Sequence, residues 1–225
     1  MSETRTPGLL SSIEARILGC LIEKEATTPD AYPLTVNNVV MACNQKTARH
    51  PVMALELGAV HHALRQMEVR GLVRSQHTAR AERYMHRFEM VYGLTPPQTA
   101  LMSLLMLRGP QTLHELYGRS ERLATLESAE EVGHVLERLM QKEPALVAVI
   151  PRKSGQREDR YRQLLVPGDG IDDTDDEALN DTSTEPGAPS LRERIMALEA
   201  KVDALEAQLA TLLPNDVATT SAAEG

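Results

Sequence analysis

One order of structural signals runs twice along this chain, over residues 9–90 and again over 94–167, and that duplicated plan restricts the fold more than any single motif. Ser11 and Glu14 form a capping box ahead of Ile13, Ile17, Cys20 and Leu21, an apolar face at helical spacing. Thr95 and Gln98, with Pro97 early in the turn, repeat it ahead of Leu101, Leu104 and Leu105. A short second helix begins near Thr35, with Val36, Val40 and Cys43 on one face; its counterpart begins at the box Thr112 to Glu115. The third helix carries Val60, Leu64 and Met67 in the first copy, and in the second Ser128 to Glu131 caps a helix with Val132, Val135, Leu136 and Leu139. Each third helix is followed by an apolar stretch (Leu72-Val73; Leu146 to Ile150) and a polar turn (Gln76 to Glu82; Lys153 to Glu158, with Gly155 at its tip). An Arg-Tyr pair then opens a second strand, Arg83-Tyr84 and Arg160-Tyr161.

Three helices followed by a two-stranded hairpin is the order of a winged helix. The expected fold is therefore mainly α with small β wings: two tandem winged-helix domains, a helix-turn-helix variant, over residues 9–92 and 93–167.

Composition narrows the function. Aromatic residues are 3% of the chain, so the core is aliphatic and stacking platforms for single-stranded nucleic acid are disfavoured. Two cysteines, Cys20 and Cys43, are too few for a disulfide scaffold or a cysteine-built zinc site and fall on inward helix faces. No stretch of signal-peptide or membrane-spanning length is present, which gives a cytoplasmic expectation with no membrane contact. The formal charge of −8 is uneven, because residues 168–190 hold eight acids and no Lys or Arg. Together with Gly168, Gly170, Pro186, Gly187 and Pro189 this reads as an acidic, disordered linker. Without it basic and acidic residues balance at 24 each, so charge alone does not nominate a DNA partner.

Beyond the linker, Leu191, Ile195, Leu198, Val202, Leu205, Leu209 and Leu212 alternate spacings of four and three, an unbroken heptad seam over 191–213. Ser190 and Glu193 cap it and Pro214 ends it, before a disordered tail at 214–225. With Leu at d and Ile195 and Val202 at a, the pattern favours a parallel two-stranded coiled coil. Arg194 and Lys201 at g then face Glu199 and Glu206 at e of the partner helix.

The residues also resemble a known family. Glu14-Ala15-Arg16 through Leu21-Ile22-Glu23-Lys24, Thr27-Thr28-Pro29-Asp30, Tyr32-Pro33-Leu34, and Asn37 with Ala42-Cys43-Asn44-Gln45-Lys46-Thr47 are similar to the bacterial YceH family. So are Arg49 and Pro51-Val52-Met53, Arg108-Gly109-Pro110-Gln111-Thr112, Glu115-Leu116, and Arg157 with Arg160-Tyr161. The resemblance implies a cytoplasmic protein with two tandem winged helices, and it implies no activity. The chain departs from the family where the third helix starts: Glu56, Leu57, Gly58 and Ala59 stand where a Ser cap and acids are expected.

In a DNA-binding winged helix the third helix enters the major groove and cations on the wing grip phosphates. The first copy offers His61, His62, Arg65 and Gln66 for the groove, and Lys46, Arg49, Arg74, Arg80 and Arg83 for the backbone. The second offers a wing with Arg152, Lys153 and Arg157, but its third helix carries Glu130, Glu131 and Glu137, which repel phosphate. Enzymatic readings lack support: His114-Glu115 has no second His at zinc-protease spacing, no glycine-rich phosphate loop occurs, and the seven histidines show no ligand spacing. No cofactor or metal is expected. The leading expectation is a dimeric, DNA-binding, regulator-like protein on double-stranded DNA; the alternative is a scaffold of winged helices that binds a protein partner. The seam predicts a homodimer, so sedimentation of the full chain at tens of micromolar should give twice the monomer mass, and a monomer there would reject it.

Overall fold

The computed structural model describes residues 8–77 and 81–167. The heptad segment 191–213, the acidic stretch 168–190 and Arg80 lie outside the described residues. The described chain is mainly helical, with two small antiparallel sheets.

The first half runs α1 (Ser12–Thr27), a 3₁₀ turn (Pro29–Ala31), β1 (Leu34–Thr35), α2 (Val36–Cys43), α3 (Leu57–Val69), β2 (Val73–His77) and β3 (Glu82–His86). A short helix, α4 (Phe88–Tyr92), leads to the second half. There α5 (Pro96–Arg108), β4 (Gln111–Thr112), α6 (Leu113–Ser120), α7 (Ala129–Met140), β5 (Val147–Ile150) and β6 (Arg160–Gln163) follow in the same order.

The helix starts are set by the expected caps. Ser11 Oγ accepts the Glu14 N–H at 3.2 Å while Glu14 Oε2 accepts the Ser11 N–H at 2.8 Å, two orphan donors satisfied reciprocally. Thr112 and Glu115 do the same for α6 at 3.2 and 2.9 Å. Ser128 Oγ accepts the Glu131 N–H at 3.2 Å to start α7. α3 has no such bond: its N-cap is Glu56, whose side chain does not cap, and Gly58 follows in its first turn. On α2 the inward residues are Val39, Ala42 and Cys43, while Val36 and Val40 are only half-buried; the buried face is rotated slightly from the expected one, because Val39 is the residue that meets the core.

Each sheet has three strands rather than the expected two. The orders are β1-β3-β2 and β4-β6-β5, and the additional strand is the two-residue segment just before the second helix. Leu34 pairs with Tyr84 and Thr35 with Arg83; Gln111 pairs with Tyr161 and Thr112 with Arg160. Both Arg-Tyr pairs therefore occupy one register position in both halves. Each arginine also reaches the carbonyl of the proline preceding the short strand, Arg83 Nη1 to Pro33 O at 2.8 Å and Arg160 Nη1 to Pro110 O at 3.4 Å. The threonine that pairs opposite the arginine caps the next helix, so one short segment joins sheet to helix.

The halves share one core through their first helices. α1 is buried continuously from Glu14 to Ile22 and α5 from Gln98 to Leu107, so neither has a solvent face in those turns. They meet closely at Gly19, where a Cβ would come within 2.8 Å of Leu107 Cγ, and Ser103 Oγ donates to Gly19 O at 3.1 Å. The Leu10 N–H donates to Leu165 O at 2.8 Å, which ties the start of the first half to the end of the second. α4 turns the chain between them and stops at Gly93, whose φ of 60° is left-handed, with Phe88 and Tyr92 ring to ring at 4.6 Å.

Gly19→Val places branched carbon against a fully buried leucine and should lower stability by about 1–3 kcal/mol in urea denaturation. Gly58→Ala, where an added Cβ meets nothing within 4 Å, should raise it by up to about 1 kcal/mol.

Candidate recognition surface

The outward side of α3 carries Leu57, Gly58, His61, His62, Arg65, Gln66 and Val69, all exposed. Its inward side, Val60, Ala63, Leu64 and Met67, is buried at positions three and four apart, which fixes the helix's rotation. The expected groove-reading residues His61, His62, Arg65 and Gln66 therefore do share one outward face. Next to it, Thr35, Val36 and Asn37 from the start of α2, Leu57, Gly58 and His61 from α3, and Ala81 and Glu82 from the wing line a groove of about 400 Å³.

Arg65 is the sole Lys or Arg on that outward face, and it is doubly engaged. Its Nη1 meets Glu68 Oε2 at 2.9 Å and its Nη2 meets Glu82 Oε2 at 3.0 Å. Glu82 Oε2 also accepts the Tyr84 hydroxyl at 2.9 Å, and Glu68 Oε1 accepts the Ser75 N–H at 2.9 Å. Burial and the bond to Glu82 push the Tyr84 phenol up to about 12. Bonding to Ser75 and then to Arg65 holds the Glu68 carboxyl below its ordinary range, so this carboxylate stays charged beside Arg65.

Two of the expected phosphate contacts are not available as surface cations. Arg49 is buried and makes five bonds: Nε to Ala42 O at 3.1 Å, Nη1 to Glu23 Oε1 at 3.1 Å and to Ala48 O at 2.9 Å, Nη2 to Glu23 Oε2 at 2.6 Å and to Gln45 Oε1 at 2.9 Å. It is a fork-to-fork ion pair that fills a loop's interior. Arg83 is half-buried and bound to Pro33 O, as above. Lys46 on the loop after α2 and Arg74 on β2 are exposed. In the second wing Arg152, Lys153 and Arg157 are exposed on the loop between β5 and β6, where the Arg152 N–H donates to Asp159 Oδ1 at 3.0 Å and its Nη1 to Arg157 O at 3.2 Å. On α7, Glu130, His134 and Glu137 are exposed, while half-buried Glu131 accepts the Glu127 N–H.

Arg16, to which the sequence alone assigned no role, is a structural residue. It is buried on α1, with Nη1 on Cys43 O at 3.1 Å and Nη2 on Pro51 O at 2.6 Å. Asn44 closes the same loop with a paired bond, Nδ2 to Leu55 O at 2.9 Å and the Leu55 N–H to Oδ1 at 2.8 Å. The irregular segment from Asn44 to Glu56 is thus held by Arg16, Asn44 and Arg49, and it delivers the chain to α3. The specific stretch Ala42-Cys43-Asn44-Gln45-Lys46-Thr47 contributes four partners to this scaffold, Ala42, Cys43, Asn44 and Gln45. Among the described residues no His, Cys, Asp and Glu come together as a metal cluster, and no helix is long and apolar enough to cross a membrane.

Comparison of the sequence with known proteins places the chain in a bacterial family of unknown function. Residues 10–156 match the family model described as "Protein of unknown function, DUF480", and the chain belongs to that family, as its likeness to the YceH proteins implied. It is 55% identical over 214 residues to a UPF0502 protein of Xanthomonas axonopodis pv. citri, covering 94% of this chain and 93% of that one. It is 53% identical over 212 residues to a UPF0502 protein of Stenotrophomonas maltophilia, covering 93% and 97%. A UPF0502 protein of Xanthomonas euvesicatoria pv. vesicatoria shares 63% over 165 residues, 73% of each chain.

The Arg49–Glu23 pair generates a prediction of stability rather than of binding. Arg49→Ala leaves a largely buried carboxylate and several carbonyls without their donor and should cost about 3 kcal/mol, whereas Lys46→Ala and Arg74→Ala should change stability by less than about 0.5 kcal/mol. Burial pushes the Glu23 carboxyl up, but bonding to Arg49 and the charges of Arg49 and Lys24 outweigh it and hold it below its ordinary 4.5. The pair's stabilisation is then complete above that value and is lost as pH falls through the lowered folded-state value. Urea midpoints of the wild type and Glu23→Gln should differ at neutral pH and converge as the pH drops below 4.5.

Proposed function

We propose that each half is a winged helix and that the protein is a non-enzymatic interaction module whose α2–α3 face binds another protein. The observation that carries this reading is the electrostatics of α3: its outward face bears one formal cation, Arg65, and two carboxylates already neutralise it. Entry into a DNA groove draws its affinity from cations released to phosphate, and Arg65 would first have to break both ion pairs. A protein interface has the opposite requirement, a weakly charged centre with apolar anchors. Leu57 and Val69 stand exposed at the two ends of α3, Met41 is exposed on α2, and the groove beside Leu57 has a mixed apolar and polar lining. The matching partner is a segment that brings an apolar side chain to this groove and a cation or donor to Glu82 at its rim. The heptads at 191–213 support a homodimer that doubles the face.

A second reading, a regulator bound to duplex DNA, is favoured by the exposed cations Lys46, Arg74, Arg152, Lys153 and Arg157. One comparison separates the two. A photo-crosslinker at His62, in cells of a bacterium carrying a UPF0502 protein, should capture a discrete protein after nuclease digestion. Capture should disappear in Leu57→Glu with Val69→Glu and persist in the triple variant Arg74→Ala, Lys153→Ala, Arg157→Ala. Duplex binding that falls steeply with salt, and is lost in the triple variant but not the α3 variant, would replace the proposal with the DNA reading.

A further inference from the structure

The second half presents a face made differently from that of α3. On α7 the buried residues Val132, Val135, Leu136 and Leu139 fix the helix's rotation, so Glu130, His134 and Glu137, at spacings of four and three, line its exposed side. Among the described residues neither Glu130 nor Glu137 is in an ion pair, whereas Arg65 on α3 is held by two carboxylates. The loop between β5 and β6 is basic, with Arg152, Lys153 and Arg157 exposed. Its acids are turned back onto their own half: the Glu158 carboxylate meets His114 Nδ1 at 3.1 Å, and Asp159 Oδ1 accepts the Arg152 N–H at 3.0 Å. His114 stands at the start of α6, and its neighbour Leu113 packs against α7 at Gly133, where a Cβ would come within 3.3 Å of Leu113 Cδ1. Helix and wing are thus two blocks of opposite charge that flank the start of α6.

A surface of this kind selects its partner by the order of its charges. Duplex DNA carries one sign throughout, so α7 repels its phosphates wherever the wing attracts them. A uniformly basic partner meets the converse conflict at the wing. Both blocks are satisfied by a surface that carries the same two blocks in reversed order. A two-fold rotation about an axis in the plane of contact, passing between α7 and the wing, produces that surface from an identical copy. From this complementarity we infer that the α7 side of the second half is an isologous contact for a second copy of the chain, with α7 of each copy against the β5–β6 loop of the other. Glu130 and Glu137 then face Arg152, Lys153 and Arg157 across the two-fold, twice in each dimer. Solvated charge pairs are individually weak, so the contact rests on the homodimer reading above, in which the heptad seam raises the local concentration of one second half around the other. To that reading it adds a fixed arrangement of the two second halves, and it uses no residue of the α2–α3 face.

The test uses the full chain at tens of micromolar. Isotopically light and heavy preparations are mixed to exchange subunits and treated with a carbodiimide, which joins a lysine to a carboxylate it touches. The expected result is a set of peptides joining Lys153 to Glu130 or Glu137, with one light and one heavy member, whose yield falls at high salt. Two charge-reversed chains give a second readout. Glu130→Lys with Glu137→Lys makes both blocks positive, and Arg152→Glu with Lys153→Glu and Arg157→Glu makes both negative. Sedimentation of either alone should show a dimer dissociation constant raised at least about tenfold, and an equimolar mixture should return it to the wild-type value or below. A wild-type dimer in which Lys153 is linked only to acids of its own chain would overturn the inference and leave the homodimer reading standing, whereas a monomeric mass would overturn both. A mixture that dimerises no better than either variant alone would also overturn the inference. The wild-type measurement depends on no variant folding, and none of these outcomes depends on what binds α3.

Discussion

The packing of α1 against α5 at Gly19 supports everything else in the described chain. A helix buried on every side cannot be held by one neighbour, and these two helices are each other's second wall: each faces its own half on one side and the other half on the opposite side. The close approach needs a residue without a side chain, which Gly19 supplies, and a small polar one, Ser103, whose hydroxyl satisfies the Gly19 carbonyl where water is excluded. With the first helices fused in this way, the remaining elements of each half are arranged around a rigid centre. The α2–α3 face of the first half therefore sits on a stable base even though α3 itself begins without a side-chain cap.

The second constraint is where the arginines go. Arg16 and Arg49 are buried beneath the loop that joins α2 to α3, and their donors satisfy carbonyls that irregular backbone would otherwise bury unpaired. Arg49 meets a carboxylate in a two-pronged pair, with Glu23 one turn beyond Cys20 on α1. A lysine could not replace it, since one ammonium cannot serve a carboxylate fork, two carbonyls and an amide oxygen together. The stretch that carries the family likeness thus holds the fold of a long loop, and its residues speak for architecture before they speak for a ligand.

Much of this was legible in the sequence because it is written in short-range rules. Capping boxes at Ser11 and Thr112, the Ser128 side-chain cap, the apolar spacing of Val60, Leu64 and Met67, and the repeated Arg-Tyr pairs all act within a few residues or recur in register. The two-residue strands β1 and β4 were not legible, because two residues carry no periodicity; their mark is the proline carbonyl bound by an arginine 50 residues away. The burial of Arg49 escaped for a similar reason. An arginine in a polar loop reads as a surface cation until its partner is known, and that partner, Glu23, lies 26 residues earlier on another helix. The outward placement of His61, His62, Arg65 and Gln66 followed from helical phase, but the neutralisation of Arg65 depends on Glu82, which only the wing's return brings near.

These placements decide how charge bears on function. An even total of cations and anions outside the acidic stretch left open a locally positive ridge on the first half. The structure shows Arg49 taken inside, Arg83 tied to the backbone of β1's leading proline, and Arg65 held between two carboxylates. What remains on the outer face of α3 is two histidines, a glutamine and two apolar ends, a surface whose free energy of contact comes from shape and dehydration more than from counterion release. Of the expected contacts, the exposed cations Lys46, Arg74, Arg152, Lys153 and Arg157 lie instead on the wings and on the loop after α2, where they can steer an encounter without entering its centre.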